Sequence, residues 1–299
     1  MSSGYVFTVK PKRALLTRTP AELLAAHDSF HRLVQKCAPH EPNPLGQGVA
    51  VDLSEASDID PGAVLLMMYT GWILLRRGWS LYVTGSGEAL RKVSKNLQHL
   101  RLTAKDRPLF ERDPGDYPLR QVKDKNNMVS ELEDWAETVK KDTHAKEEHV
   151  AVWSMQIGEV VTNSFQHGPD GQGPVPVPPN VLLCGGFRDN HVQLAALDTG
   201  RGIPASIKEV VADEVRQEGD AALIREACKL GVTSRSTRWN QGYGLPHLVD
   251  LVKENGGTVQ IFSQRGLVHL RGQQLHKRNL EKSERRLNGT LTIVSLRVT

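Results

Sequence analysis

The stretch IGEVVTNSFQHG, Ile157–Gly168, closes a longer run in which Val150, Trp153, Ile157, Val160 and Val161 recur at three- and four-residue steps. That spacing predicts an amphipathic helix with one apolar face for a core. The polar face carries Glu159, Asn163 and His167 at i, i+4 and i+8, with Gln166 beside them. Residues so spaced stack along one side of a helix. A carboxylate and a carboxamide one turn apart suit a hydrated divalent cation and a group awaiting deprotonation, the amide oxygen serving as a hard ligand and the carboxylate as a base. A merely solvated helix face shows the same residue types, so the triple needs company. His167 receives no duty and reads as a packed, hydrogen-bonded histidine.

Company comes downstream. LAALDTGRGIP, Leu194–Pro204, is an apolar strand-like run ending in an acid and a glycine-rich turn. NQGYGLPHLVDLVKENGG, Asn240–Gly257, sets a second glycine pair directly before an amphipathic helix, and Gly289-Thr290 precedes a last strand. The order ExxxNxxxH, DxGxGIP, then GxGL with a trailing GG, resembles the nucleotide-binding domain of the GHKL ATPase/kinase superfamily (the Bergerat fold). The likeness covers residues 145–299 and is closest in style to the anti-sigma-factor serine kinases.

The resemblance implies ATP and Mg²⁺ as cofactors, in an α/β sandwich with helices on one face of a mixed sheet. It assigns Asp198 to the adenine amino group, with Gly200 and Gly202 letting backbone approach the purine and sugar. Gly242 and Gly244, before a helix opening near Leu245, bring backbone N–H groups to the triphosphate. Ile203, Tyr243, Leu245 and Thr290 complete the nucleotide set. Residues 206–241 have the length of a lid, in which Thr233, Ser234, Arg235 and Arg238 are candidates for phosphate contacts. Asn163 is the expected Mg²⁺ ligand, and Glu159 the residue that orients or deprotonates the attacking group.

Composition agrees with a soluble protein. The 299 residues leave room for about two domains, with 39% hydrophobic and 24% charged residues. Cys37, Cys184 and Cys228 form neither a CxxC pair nor a zinc spacing, so a reducing compartment is expected. With no apolar run long enough for a membrane span and no signal-peptide core in MSSGYVFTVKPKR, a cytoplasmic location and no membrane partner are expected. A net charge of +4 permits an acidic partner without requiring one.

The N-terminal part alternates strand and helix: a strand at Tyr5–Val9, a helix from Pro20 to Cys37, strands at Gly48–Leu53 and Ser80–Val83, and helices within residues 59–78 and 88–100. This predicts a small α/β domain over residues 1–103. Asp52-Leu53-Ser54 and Asp60-Pro61-Gly62-Ala63 resemble the two hallmarks of a STAS domain, the fold of anti-sigma-factor antagonists. Where those antagonists present a serine for phosphorylation this chain has Pro61, so a degenerate STAS-like domain is implied.

Residues 104–144 read as a connector that adds an edge strand and then a helix marked by Met128, Leu132, Trp135 and Val139. The proline-spotted GPDGQGPVPVPPN, Gly168–Asn180, reads as a stiff loop. The segment Gln264–Asn288 carries seven Lys and Arg against Glu281 and Glu284 and interrupts the expected final hairpin. It reads either as a solvated insertion or as a docking site for nucleic acid or an acidic protein.

Two functions are left standing. One is an enzyme, a slow ATPase or serine/threonine-type protein kinase acting on a regulatory protein partner. The other is a non-catalytic switch whose partner affinity follows ATP or ADP state; either allows a homodimer. No phosphoacceptor histidine stands on a convincing helix pair upstream of Glu159, and no transducer domain follows the nucleotide domain, so neither a histidine kinase nor a gyrase-like machine is expected.

Overall fold

The computed structural model describes residues 5–11, 16–38, 48–85, 89, 119–122, 125–143, 146–167, 181–188, 190–232, 244–280 and 286–298. It divides into two compact units, Met1–Arg120 and Gln121–Thr299. The helix expected at residues 88–100 lies outside the described residues except for Ala89, which is helical. The loop at residues 168–180 lies outside them altogether.

The first unit runs β1 (Tyr5–Val9), α1 (Pro20–Cys37), β2 (Gly48–Asp52), α2 (Pro61–Arg76) and β3 (Ser80–Thr84). The strands pair in the order β1-β2-β3, both pairs parallel, as strand–helix–strand crossovers require. Thr19 starts α1 through a capping box with Glu22, and Pro20 fits the first turn because its missing N–H would have no partner there. Leu23, Leu33 and Cys37 then face inward, fully buried. Ahead of α2, the buried Asp60 carboxylate accepts from Thr17 N at 2.6 Å, Thr17 Oγ1 at 2.8 Å and Ala63 N at 3.0 Å. Burial pushes it up to about 6 although those donors oppose the shift. Asp52, ending β2, accepts from Ser54 Oγ at 2.6 Å and pairs with Lys10 at 3.1 Å. Those contacts, the Ser54 hydroxyl foremost, hold it down to about 2.

The second unit is built on a seven-stranded sheet. After β4 (Leu119–Val122) come α3 (Lys125–Thr143), α4 (Glu147–His167), β5 (Val181–Arg188), β6 (His191–Asp198), the short helices α5 (Ile203–Ile207), α6 (Asp213–Gln217) and α7 (Asp220–Ala227), then α8 (Gly244–Glu254), β7 (Thr258–Gln264), β8 (Gly266–Arg271), β9 (Gln274–Asn279) and β10 (Leu287–Arg297). The spatial order is β4-β5-β6-β10-β7-β8-β9, with the unit boundary inside β4. From β5 to β9 every pairing is antiparallel, so the mixed sheet expected from the sequence is not found in these six strands.

On one face of the sheet, Leu183, Leu194, Ile261, Leu270 and Val294 pack with Trp135 of α3, Ile157, Val160 and Val161 of α4, and Leu248 and Val252 of α8. These α4 residues are the apolar set read from the sequence. The alternate residues Leu182, Ala195, Leu197, Phe262 and Leu291 are also fully buried, so both faces of the sheet are apolar rather than one. The basic segment does interrupt a hairpin, since β7 and β10 pair antiparallel on either side of it, and it supplies β8 and β9, which widen the sheet. Among the described residues no helix is long and apolar enough to cross a membrane.

Candidate functional site

α4 organises the site by presenting consecutive residues in different directions. On one side Asn163 and Glu159 meet the start of α8: a Cβ on Gly244 would lie 2.7 Å from Asn163 Nδ2 and 3.1 Å from Glu159 Oε2. Only a residue without a side chain lets α8 open this close to both polar groups. Ser164, the next residue, sits beside the Asp198 carboxylate at the end of β6, its hydroxyl donating to Val160 O one turn back at 3.0 Å. The three sequence motifs therefore converge on one turn of α4.

Asp198 is 7% exposed. Its Oδ1 accepts from Gly200 N at 2.9 Å, closing the tight turn after β6, and Ser164 and Thr290 lie beside the carboxyl. Thr290 stands directly opposite Asp198 in the β6–β10 register. Burial pushes Asp198 up to about 6, against the pull of these neighbours. It is a desolvated acceptor, held in place from three directions.

The loop that follows is pinned from β7. Ser263 Oγ accepts from Ile203 N at 3.0 Å, donates to Gly289 O at 2.8 Å and lies 3.1 Å from Thr290 Oγ1. Gln264 Nε2 donates to Arg201 O, with Gln264 in the left-handed region at φ 54°. Gly202 has φ 80°, and a Cβ there would meet Ser263 Oγ at 2.7 Å and Gly289 O at 3.0 Å. The missing side chain of Gly202, expected to allow close approach to a ligand, also makes room for the protein's own β7 and β10. Gly289-Thr290 lies inside β10 rather than before it, because at Gly289 the strand bends through φ 107° to run against Asp198.

Of the remaining candidates, Gly200 is buried in the turn. Ile203 and Leu245 are partly buried and pack on the small apolar cluster of Ile207, Leu223 and Ala227, a packing role that their sequence assignment as nucleotide residues did not foresee. Thr233, Ser234, Arg235, Arg238, Gly242 and Tyr243 lie outside the described residues. His167 is in α4. The first part of the expected lid is folded into the unit: Ala221, Ala222 and Ile224 of α7 are fully buried, and Asn279 accepts from Ala221 N at 2.8 Å. Sequence reasoning missed Ser164 and Ser263 entirely, and saw Gln264 only as the first residue of a basic tract.

Among the described residues no group of three His, Cys, Asp or Glu side chains is placed to hold a metal ion. One carboxamide beside one carboxylate still fits Mg²⁺, which keeps several waters and takes most other oxygens from phosphates. The gap left by the absent Gly244 side chain, next to that pair and at the N-terminus of an eleven-residue helix, fits an anionic group. No protein-family model and no curated protein matches the sequence.

Proposed function

We propose that the second unit binds Mg²⁺–ATP in the manner of the GHKL proteins and acts as a slow ATPase or as a kinase of a partner protein in a regulatory pair. The observation that carries this reading is the double duty of α4, where Asn163 abuts Gly244 while Ser164 sits beside Asp198. A buried acceptor for an amino group at one end, and a carboxamide–carboxylate pair at a helix N-terminus at the other, are what adenine and magnesium phosphates need. When bound, the nucleotide would supply the transferable phosphoryl group and Mg²⁺ would balance its charge. Asn163 would hold the ion, and Glu159 would orient or deprotonate the attacking hydroxyl.

The first unit fits the same reading as a degenerate STAS-like domain. The central strand of its parallel sheet, β2, ends at Asp52, and Pro61 opens α2 where an antagonist would offer a serine. The three free cysteines, Cys37, Cys184 and Cys228, suit the cytoplasm.

A second reading, a switch without turnover, is favoured by the exposure of Glu159. A general base has to be held in place against the group it deprotonates, and an exposed carboxylate has little around it to hold it. Incubating the purified chain with labelled ATP and Mg²⁺, and scoring binding, hydrolysis and protein labelling together, tests both. Binding weakened by Asp198→Asn supports the site; absence of binding by the wild type rejects it.

A further inference from the structure

The basic tract takes a definite form in the structure. β9 ends the sheet, paired with β8 alone among the described strands, and all six of its residues are exposed, whereas Gly266–Leu270 of β8 are buried. A strand in that position offers a row of backbone donors and acceptors on its outer edge.

The side chains of β9 divide by the two-residue alternation of a strand. On one side β9 and the residue before β8 already meet the turn between α6 and α7. Lys277 pairs with Glu218, Asn279 Nδ2 donates to Glu218 O at 2.7 Å, and Arg265 N donates to Asp220 at 3.0 Å. On the other side the register sets Arg271 opposite Gln274, His269 opposite His276, and Leu267 opposite Arg278. Arg271, His276 and Arg278 therefore share that side. The His269 and His276 rings stack at 6.3 Å, and burial with the neighbouring His276 and Arg271 keeps the His269 imidazole below its usual pKa. Among the described residues no carboxylate pairs with Arg271 or Arg278.

We propose that the outer edge of β9 takes an extended acidic segment of a partner protein by strand addition. Main-chain hydrogen bonds would supply the pairing, and carboxylates at alternate positions would meet Arg271, His276 and Arg278. A second copy of this chain is a poor occupant, since a strand with three basic residues and no acid would set like charges against each other. Nucleic acid is a poor occupant too, because residues 264–288 contain no Phe, Tyr or Trp on which a base would stack, and the two histidine rings stack on each other. The inference goes beyond nucleotide binding and does not rest on it.

The test is fluorescence anisotropy on the full chain, with a short labelled peptide of alternating glutamate and valine as the probe. Saturable binding is expected, weakened at least about tenfold by the double change Arg271→Glu and Arg278→Glu, which corresponds to about 1.4 kcal/mol. The same peptide with methylated backbone nitrogens should lose affinity to a similar degree. That arm leaves the protein unaltered, so a misfolded variant would not spare the proposal. Three results overturn it: no binding of the plain peptide, equal binding of its methylated form, or indifference to the charge reversals. Tighter binding of a thymidine oligonucleotide sensitive to the same changes would give the surface to nucleic acid. Dimerisation abolished by them would give it to a second copy; either also overturns the proposal.

Discussion

Gly244 and Asn163 are in such close register that a Cβ on the glycine would stand 2.7 Å from the Asn163 amide nitrogen. The obstacle is the end of a side chain rather than backbone, so Asn163 can swing aside at small cost to the fold. Its position is then lost. Gly244→Ala should therefore leave thermal stability within about 1 kcal/mol of wild type and weaken Mg²⁺-dependent nucleotide binding. Calorimetry with and without Mg²⁺, beside a thermal melt, checks this; a large loss of stability with unchanged affinity would contradict it.

Asp198 should make nucleotide affinity depend on pH. As a carboxylate it accepts strongly from an amino group; protonated, it keeps only its weaker carbonyl oxygen as an acceptor. With its value pushed up to about 6, affinity should be full above that pH and fall below it, by at most about tenfold per pH unit. Asp198→Asn should bind more weakly at neutral pH, by about 1–3 kcal/mol, and should lack the component of the pH dependence that belongs to this group. Titrations of both proteins from pH 5 to 8 give the comparison, and parallel profiles would remove Asp198 from the adenine site.

Glu159 and Asn163 should separate chemistry from binding. Glu159→Gln keeps shape and leaves adenine recognition alone, so affinity should hold while turnover drops by about 10²–10⁴ if the carboxylate acts as base. Asn163→Ala removes the Mg²⁺ ligand and should weaken binding itself. Equal low hydrolysis by wild type and Glu159→Gln, with no partner labelled by either, would leave the switch reading alone.

Several parts of this architecture were legible in the chain because they are periodic or chemically marked. The apolar face of α4, the capping box at Thr19 and the end of β6 at Asp198 follow from local rules. What was not legible depends on residues far apart in sequence. Ser263 reaches Ile203 across sixty positions and Gly289 across twenty-six, and no local pattern marks a serine for such contacts. Ser164 sits one step round the helix from Asn163, outside the i, i+4 stripe that drew attention to Glu159. The basic tract was legible as an insertion between two paired strands, but its charges hid the strand that Leu267, Val268 and Leu270 build inside it.

The first unit should not be phosphorylated at the STAS-type position. Pro61 has no hydroxyl, and Ser54 is engaged with Asp52 at 2.6 Å. After incubation with Mg²⁺–ATP, phosphopeptide mapping should find residues 52–62 unmodified. A stoichiometric phosphoserine there would overturn the assignment of a degenerate domain.

Ser263 should affect nucleotide binding without touching nucleotide. Its hydroxyl is fully buried, accepts from Ile203 N, donates to Gly289 O and lies against Thr290, which in turn lies beside Asp198. Ser263→Ala would leave the Ile203 N–H without that acceptor, in a loop whose Gly202 is already held against the same side chain. The loss should be about 1–3 kcal/mol of stability, and with Thr290 free to turn, Asp198 would lose one of its fixed donors. Binding should weaken and the pH midpoint of binding should rise, because a carboxylate with fewer donors takes up a proton more readily. Loss of stability alone, with affinity and pH midpoint unchanged, would reduce Ser263 to a packing residue.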